Sequence, residues 1–275
     1  MKSALPIKSV SPAGASLSTS RRAWGVALGF GLAGLGLSRL ARAQSFADTA
    51  RVAAAANLQP ALTELAALFE GGQRGKPVIT YGSSANLLRQ IQQGLPAELF
   101  LSADEDFALR LADAGLTLDR GAVYATGRLA LLVPAASSLV LDAGLDGLRA
   151  GLGKIGRVAI ANPELAPYGR AAVEALQRTG LWPQLSGKIV TGENIAQTTQ
   201  YVSSGAADAG LTALSLALAP EVAVRTRHVV VDAALHAPLR QRMVLLKNAG
   251  PVARAFYDFI LSPDARTVLQ RHGYV

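Results

Sequence analysis

From residue 51 to the C-terminus, short apolar runs alternate with helical patterns, which confines the chain to an α/β fold with mostly parallel sheets flanked by helices. Residues 51–56 read as a strand, although the run is alanine-rich and weak in β propensity. Over 58–69, Leu58, Leu62, Leu65 and Phe69 share one helical face. Residues 78–81 are strand-like, 86–93 form a short helix stopped at Gly94, 98–101 form a strand, and 104–114 form a helix stopped at Gly115. A second set opens with a strand at 128–133. It continues through strands at 157–160, 188–190, 208–212 and 228–231 and helices at 170–178 and 195–203. A strand at 242–246 and helices at 252–260 and 263–271 close the chain, the last with Pro263 in its first turn. Two βα sets of similar build imply two lobes, with the late elements returning to the first.

The first 43 residues read as an export signal, removed from the fold. Lys2, Lys8, Arg21 and Arg22 form a positive region without an acid. Residues 23–37 are an apolar run short for a membrane span, and Ala41, Arg42 and Ala43 form an A-x-A cleavage site. Arg21 and Arg22 suggest twin-arginine export, while Trp24 and Gly25 fit that motif poorly and leave ordinary secretion open. An uncleaved membrane anchor is the alternative reading. Of 27 Lys and Arg, six precede residue 44, where no acid lies; the remaining 21 face 19 Asp and Glu. The high isoelectric point therefore belongs largely to the leader and argues for no nucleic-acid partner. With no cysteine, thiolate zinc sites, disulfides and a lipid-anchored N-terminal cysteine are excluded. The 232 residues after Ala43 suffice for one large domain or two smaller ones.

An enzyme finds little support. His228, His236 and His272 have no carboxylate at metal-ligand spacing. Nucleophile-elbow, zincin, Walker and dinucleotide-binding motifs are missing from the sequence. The chain offers instead polar strand-to-helix turns: Ala56-Asn57, residues 81–86, residues 167–169 and residues 191–194. In an open α/β sheet such turns lie at the carboxyl ends of the strands, where ligands bind. Helix starts there present unpaired N–H groups and the positive end of the dipole, so several aimed at one point hold an anion without Lys or Arg. Taken singly, Asn57, Ser84 and Asn194 are equally good helix caps, and Tyr168 after Pro167 is equally a packing residue.

The stretches VAAAANL (52–58), ITYGSSANLLRQIQQGLPAELFLSAD (79–104), IANPELAPYGRAAVEAL (160–176), TGENIAQTTQYVSSGAADAGLTAL (191–214) and AFYDFILSPDARTVLQRHGY (255–274) together resemble the periplasmic molybdate-binding proteins of ABC transporters. The resemblance implies a two-lobed type II periplasmic binding protein fold with the ligand cleft between lobes. Residues 44–125 plus 238–275 would form lobe I and 126–237 lobe II, hinged near 125–127 and 237–240. It implies molybdate or tungstate as ligand, no cofactor, an ABC permease as partner, a monomer, and periplasmic residence. It places the ligand contacts at Asn57, Ser84, Tyr168 and Ile195, with the backbone of Ala56 and with Ser83 as a further candidate. Ala213 stands where some members carry a tyrosine that reaches the anion, and Tyr168 is the candidate to supply that hydroxyl from the opposing turn. Sulfate or another small oxyanion on the same fold, and more remotely an exported hydrolase, remain alternatives.

Overall fold

The computed structural model describes residues 48–275. The export segment expected over residues 1–43 lies outside them. The first lobe opens with Thr49–Ala55 (β1), a short 3-10 turn at Ala56–Leu58, and helix Gln59–Gly71 (α1). Lys76–Gly82 (β2), Ser84–Gln92 (α2), Leu99–Leu101 (β3), Asp106–Asp113 (α3) and Ala122–Gly127 (β4) follow. The second lobe runs through Leu129–Pro134 (β5), Asp146–Ala150 (α4), Val158–Ala161 (β6), Pro167–Arg178 (α5) and Trp182–Leu185 (α6). It ends with Ile189–Gly192 (β7), Ile195–Ser203 (α7), Ala209–Ala213 (β8), Leu214–Ala217 (α8), Pro220–Ala223 (α9) and Thr226–Val230 (β9). The chain then returns to the first sheet as Leu239–Leu245 (β10), and Pro251–Ile260 (α10) and Pro263–Arg271 (α11) close it. A proline opens α1, α5, α10 and α11, where the missing N–H has no helical partner to lose.

The two sheets share one plan. Their strand orders are β2-β1-β3-β10-β4 and β7-β6-β8-β5-β9. In each, four strands run one way and the fourth in order runs against them. That reversed strand is in each case the one arriving from the other lobe, so the reversal marks where the chain crosses. The crossings are short: β4 hands directly to β5, and residues 231–238 connect β9 to β10.

Burial on both faces explains why an alanine-rich β1 holds its place. Leu62, Leu65 and Phe69 of α1 cover one face of the first sheet, with Phe256 of α10 meeting Phe69 edge-on at 5.0 Å between ring centres. Leu87, Ile91, Phe107 and Leu111 cover the other face. In the second lobe Leu131, Ile160, Leu176 and Leu211 line one side, and Leu132, Val202 and Leu214 the other. Gly115 stops α3 with φ of 68°, as its sequence position implied.

Three differences from the expected elements have physical causes. Strand β4 was not anticipated; its AVYATG run is half-buried and does not alternate, and it is held by pairing with β10 and by two backbone bonds between Thr126 and Val275. Strand β10 begins at Leu239, three residues before the expected start, because Arg240, Gln241 and Arg242 conceal its periodicity. Helices α4, α6, α8 and α9 are one-turn elements, too short for a periodic signal. No helix among the described residues is long and apolar enough to cross a membrane.

Phe69 is fully buried at the junction of α1, α10 and the sheet. Phe69→Ala is expected to lower stability by about 3–5 kcal/mol through the lost contacts and the cavity left behind. Urea unfolding followed by far-UV circular dichroism measures the change.

Candidate functional site

The strand-to-helix turns of both lobes meet around one small cavity. Its walls are Ala55, Ala56, Asn57, Gly82, Ser83, Ser84 and Ala103 from the first lobe and Ala166, Pro167, Tyr168 and Ile195 from the second. It leaves about 10 Å³ of room for a water-sized sphere; the 190 Å³ of empty space around that point also counts gaps between lining atoms and adjoining solvent. No charged side chain lines it. All six residues expected from the sequence (Ala56, Asn57, Ser83, Ser84, Tyr168 and Ile195) lie in this wall. Ala213, buried at the end of β8, does not.

Each wall position follows from local structure. Asn57 sits in the 3-10 turn after β1, fully buried, and its Nδ2 donates to Gln241 Oε1 at 3.1 Å and to Tyr274 Oη at 2.9 Å. Ser84 is the first residue of α2, so its capping role is corrected: Ser83 occupies the cap position, and neither side chain caps the helix. Ser84 Oγ instead accepts from the Ala103 N–H at 3.1 Å, which leaves its own proton uncommitted. Asn57 is likewise no cap. Of Asn57, Ser84 and Asn194, only Asn194 caps, accepting from the N–H groups of Ala196 and Gln197 at 3.0 Å each. That cap leaves Ile195 N–H, at the first position of α7, as a free dipole end of the helix. Tyr168, at the start of α5, is buried, and burial holds its hydroxyl well above the usual phenol range, so it keeps its proton at neutral pH. Two buried polar atoms of the wall have no hydrogen-bond partner, Asn57 Oδ1 and Ser83 Oγ. Buried polar atoms are otherwise paired; the Ser83 hydroxyl can donate to a guest, whereas Asn57 Oδ1 can only accept.

Carboxylates stand outside the cavity. Asp104 accepts from Ser102 Oγ at 2.9 Å, from Phe107 N–H at 3.1 Å and from Arg170. Burial raises its pKa, opposed by those partners. Glu193 accepts from Asn86 Nδ2 at 3.2 Å. These contacts also join the lobes: Arg170 of α5 pairs with Asp104 and lies 5.3 Å over the Phe107 ring. Ala85 N–H donates to Leu165 O at 3.1 Å, and Ser215 Oγ to Asn57 O at 2.8 Å. The histidines lie elsewhere. His272 contacts Glu64 at 2.9 Å, His236 contacts the Ala237 carbonyl at 2.8 Å, and His228 sits in β9.

Behind the wall is a polar layer that sequence reasoning missed, formed by Gln241, Tyr124, Tyr274 and Ser215. These residues come from β4, β10, α8 and the C-terminus. No spacing rule links them, and the only trace in the sequence is a neutral glutamine between two arginines.

A model of bacterial extracellular solute-binding proteins matches residues 50–275. The chain belongs to that family. It is 35% identical to the molybdate-binding protein ModA of Azotobacter vinelandii, over 87% of this chain and 94% of the relative. It is 34% identical to the ModA of Rhodobacter capsulatus, over 81% and 86%. The solved periplasmic molybdate-binding protein of Azotobacter vinelandii superposes with a TM-score of 0.75 at 30% identity, covering 82% of this chain and 98% of that one. The sulfate-binding protein SubI of Mycobacterium tuberculosis superposes with a TM-score of 0.68 at 17% identity, covering 82% and 86%, a likeness of fold alone.

The wall of this solute-binding protein depends on one close approach. A Cβ on Gly127 would stand 2.1 Å from Tyr168 Oη and 2.5 Å from Gln241 Nε2. Gly127→Ala is therefore expected to displace Tyr168 and to cost about 1–3 kcal/mol by overpacking. Urea unfolding measures the loss, and a stability equal to that of the parent would show that the hydroxyl has room to move.

Proposed function

We propose that this protein captures molybdate, or tungstate, between its lobes in the periplasm and delivers it to the permease of an ABC transporter. The observation that carries the reading is a buried cavity ringed by hydroxyls and helix-start N–H groups, without a charged side chain, in a chain 35% identical to a molybdate-binding protein. A dianion taken from water needs counter-charge or many hydrogen bonds. Bonds from neutral donors to a charged acceptor contribute about 1.5–3 kcal/mol each. The Ser83, Ser84 and Tyr168 hydroxyls and the N–H of Ile195 are the proposed donors, with the backbone of Ala56 and the side chain of Asn57 beside them.

Absent carboxylates bear on selectivity. The O–H of a protonated phosphate needs an acceptor; both nearby acids are engaged outside the wall, which leaves Asn57 Oδ1 as an unpartnered acceptor within it. A guest O–H that does not reach that oxygen stays unpaired, at about 1–3 kcal/mol. Sulfate carries no proton at neutral pH and is separated by size instead. In this reading the leader over residues 1–43 exports the chain, and segments 125–127 and 237–240 act as the hinge.

Isothermal calorimetry with molybdate, tungstate, sulfate and phosphate tests the proposal. Heat from the first two at micromolar concentration or below is the expected result; no heat from either would end it. Ser84→Ala is expected to weaken binding by about 1.5–3 kcal/mol, ten- to hundredfold, with little loss of stability. Arg170→Ala removes the pair and ring contact that join the lobes over the guest. It should speed release five- to thirtyfold, about 1–2 kcal/mol, as read by stopped-flow displacement.

A further inference from the structure

Gln241 is fully buried in β10, yet its neighbours Arg240 and Arg242 both turn outward to Glu105, at 2.7 Å each. Clamped on both sides, the glutamine is directed inward. Opposite the step from Gln241 to Arg242, the register skips Tyr124 of β4, which bulges there beside the glutamine. Such bulges re-aim a side chain and recur next to functional sites. Gly127, which has no Cβ, makes room for the carboxamide against Tyr168.

The carboxamide touches two residues of the cavity wall from behind. Oε1 accepts from Asn57 Nδ2 at 3.1 Å, and Nε2 donates to Tyr168 Oη at 3.2 Å. Tyr124 Oη lies 2.9 Å from Oε1 and 3.0 Å from Ser102 O. A phenol carries one proton. While Tyr168 Oη accepts from Gln241, that proton is free for a guest. In the same arrangement both Asn57 N–H groups are committed, to Gln241 and Tyr274, and Oδ1 has no partner. Turning the carboxamide end for end reverses this. Oε1 would draw in the phenol proton, and Nε2 would require the Asn57 amide to turn and offer its N–H groups outward.

We propose that Gln241 is a positioning residue of the anion site, its carboxamide deciding which of Tyr168 and Asn57 meets the guest with a hydrogen. This rests on the reading of the cavity as an oxyanion site. Gln241 touches no guest itself; it acts through the two wall residues.

Titration calorimetry with molybdate on the parent protein, Q241L, Q241E, Y168F and the Q241L/Y168F double variant tests the proposal, with melting of each unliganded protein recorded alongside. Q241L is expected to bind tenfold or more weakly, and to cost less than threefold when added to Y168F, because its effect runs partly through the phenol. Q241E presents acceptors to both partners and draws both hydrogens inward. Its binding should fall at least tenfold at pH 8 and recover towards pH 6, as burial raises the new carboxyl's pKa and it becomes protonated. The parent should change less than threefold over that range. A purely structural role would lower the melting temperature without that recovery. Equal affinity of Q241L and the parent, additive losses in the double variant, or a Q241E profile parallel to the parent would each overturn the proposal. Should Q241L fail to fold, the Q241E profile decides. A parent protein that binds neither molybdate nor tungstate refutes the oxyanion reading instead, which separates the two failures.

Discussion

Two hydroxyl oxygens that accept rather than donate organise the centre of this molecule. Ser84 Oγ takes the Ala103 N–H, and Tyr168 Oη takes the Gln241 carboxamide. Each hydroxyl has a single proton, and each acceptance leaves that proton to face the cavity. Partial charge is thereby aimed at one small space without any ionised group in its wall. Oriented dipoles in a buried setting act more strongly than they would in water, because little competing solvent reorients around them.

Such aim depends on rigid supports. Ser84, Tyr168 and Ile195 each stand at or next to the first residue of a helix that follows a strand, so their positions are set by sheet register and helix packing rather than by loop preference. The sheets belong to different lobes, and the wall is complete only when the lobes are together. Arg170 with Asp104 and Phe107, Asn86 with Glu193, and the Ala85–Leu165 backbone bond hold them so. The C-terminal Tyr274 ties the same junction from behind through Asn57 and Ser215. Charge is thus used outside the wall, where Asp104 is paired with Arg170, while the cavity itself is served by neutral groups.

Much of the architecture was legible because burial imposes period. The helical face of Leu62, Leu65 and Phe69 and the apolar runs of β5, β6 and β8 announce themselves. Strand β4 and the start of β10 were not legible. One is an edge strand whose partners are distant in sequence, and the other carries Arg240 and Arg242 on its outer face. Within the site, the turns were readable as turns. Whether Asn57 and Ser84 were caps or wall residues was not, since the same side chains serve both uses. The geometry separated them: Asn194 caps, and the other two face the cavity wall. Gln241 and Tyr274 left almost no signal, because a buried amide or phenol is explained only by partners that lie 59 to 217 positions away along the chain.

The sequence by itself determined the α/β alternation, the two sets of strand-to-helix turns and the lack of cysteine chemistry, because these are properties of neighbouring residues and of composition. The tertiary structure decided which turns face one another, which of their polar groups are already committed, and which protons are left over. Those are matters of distance and direction between residues far apart in the chain, and hydrogen bonds are made or lost within a few tenths of an ångström.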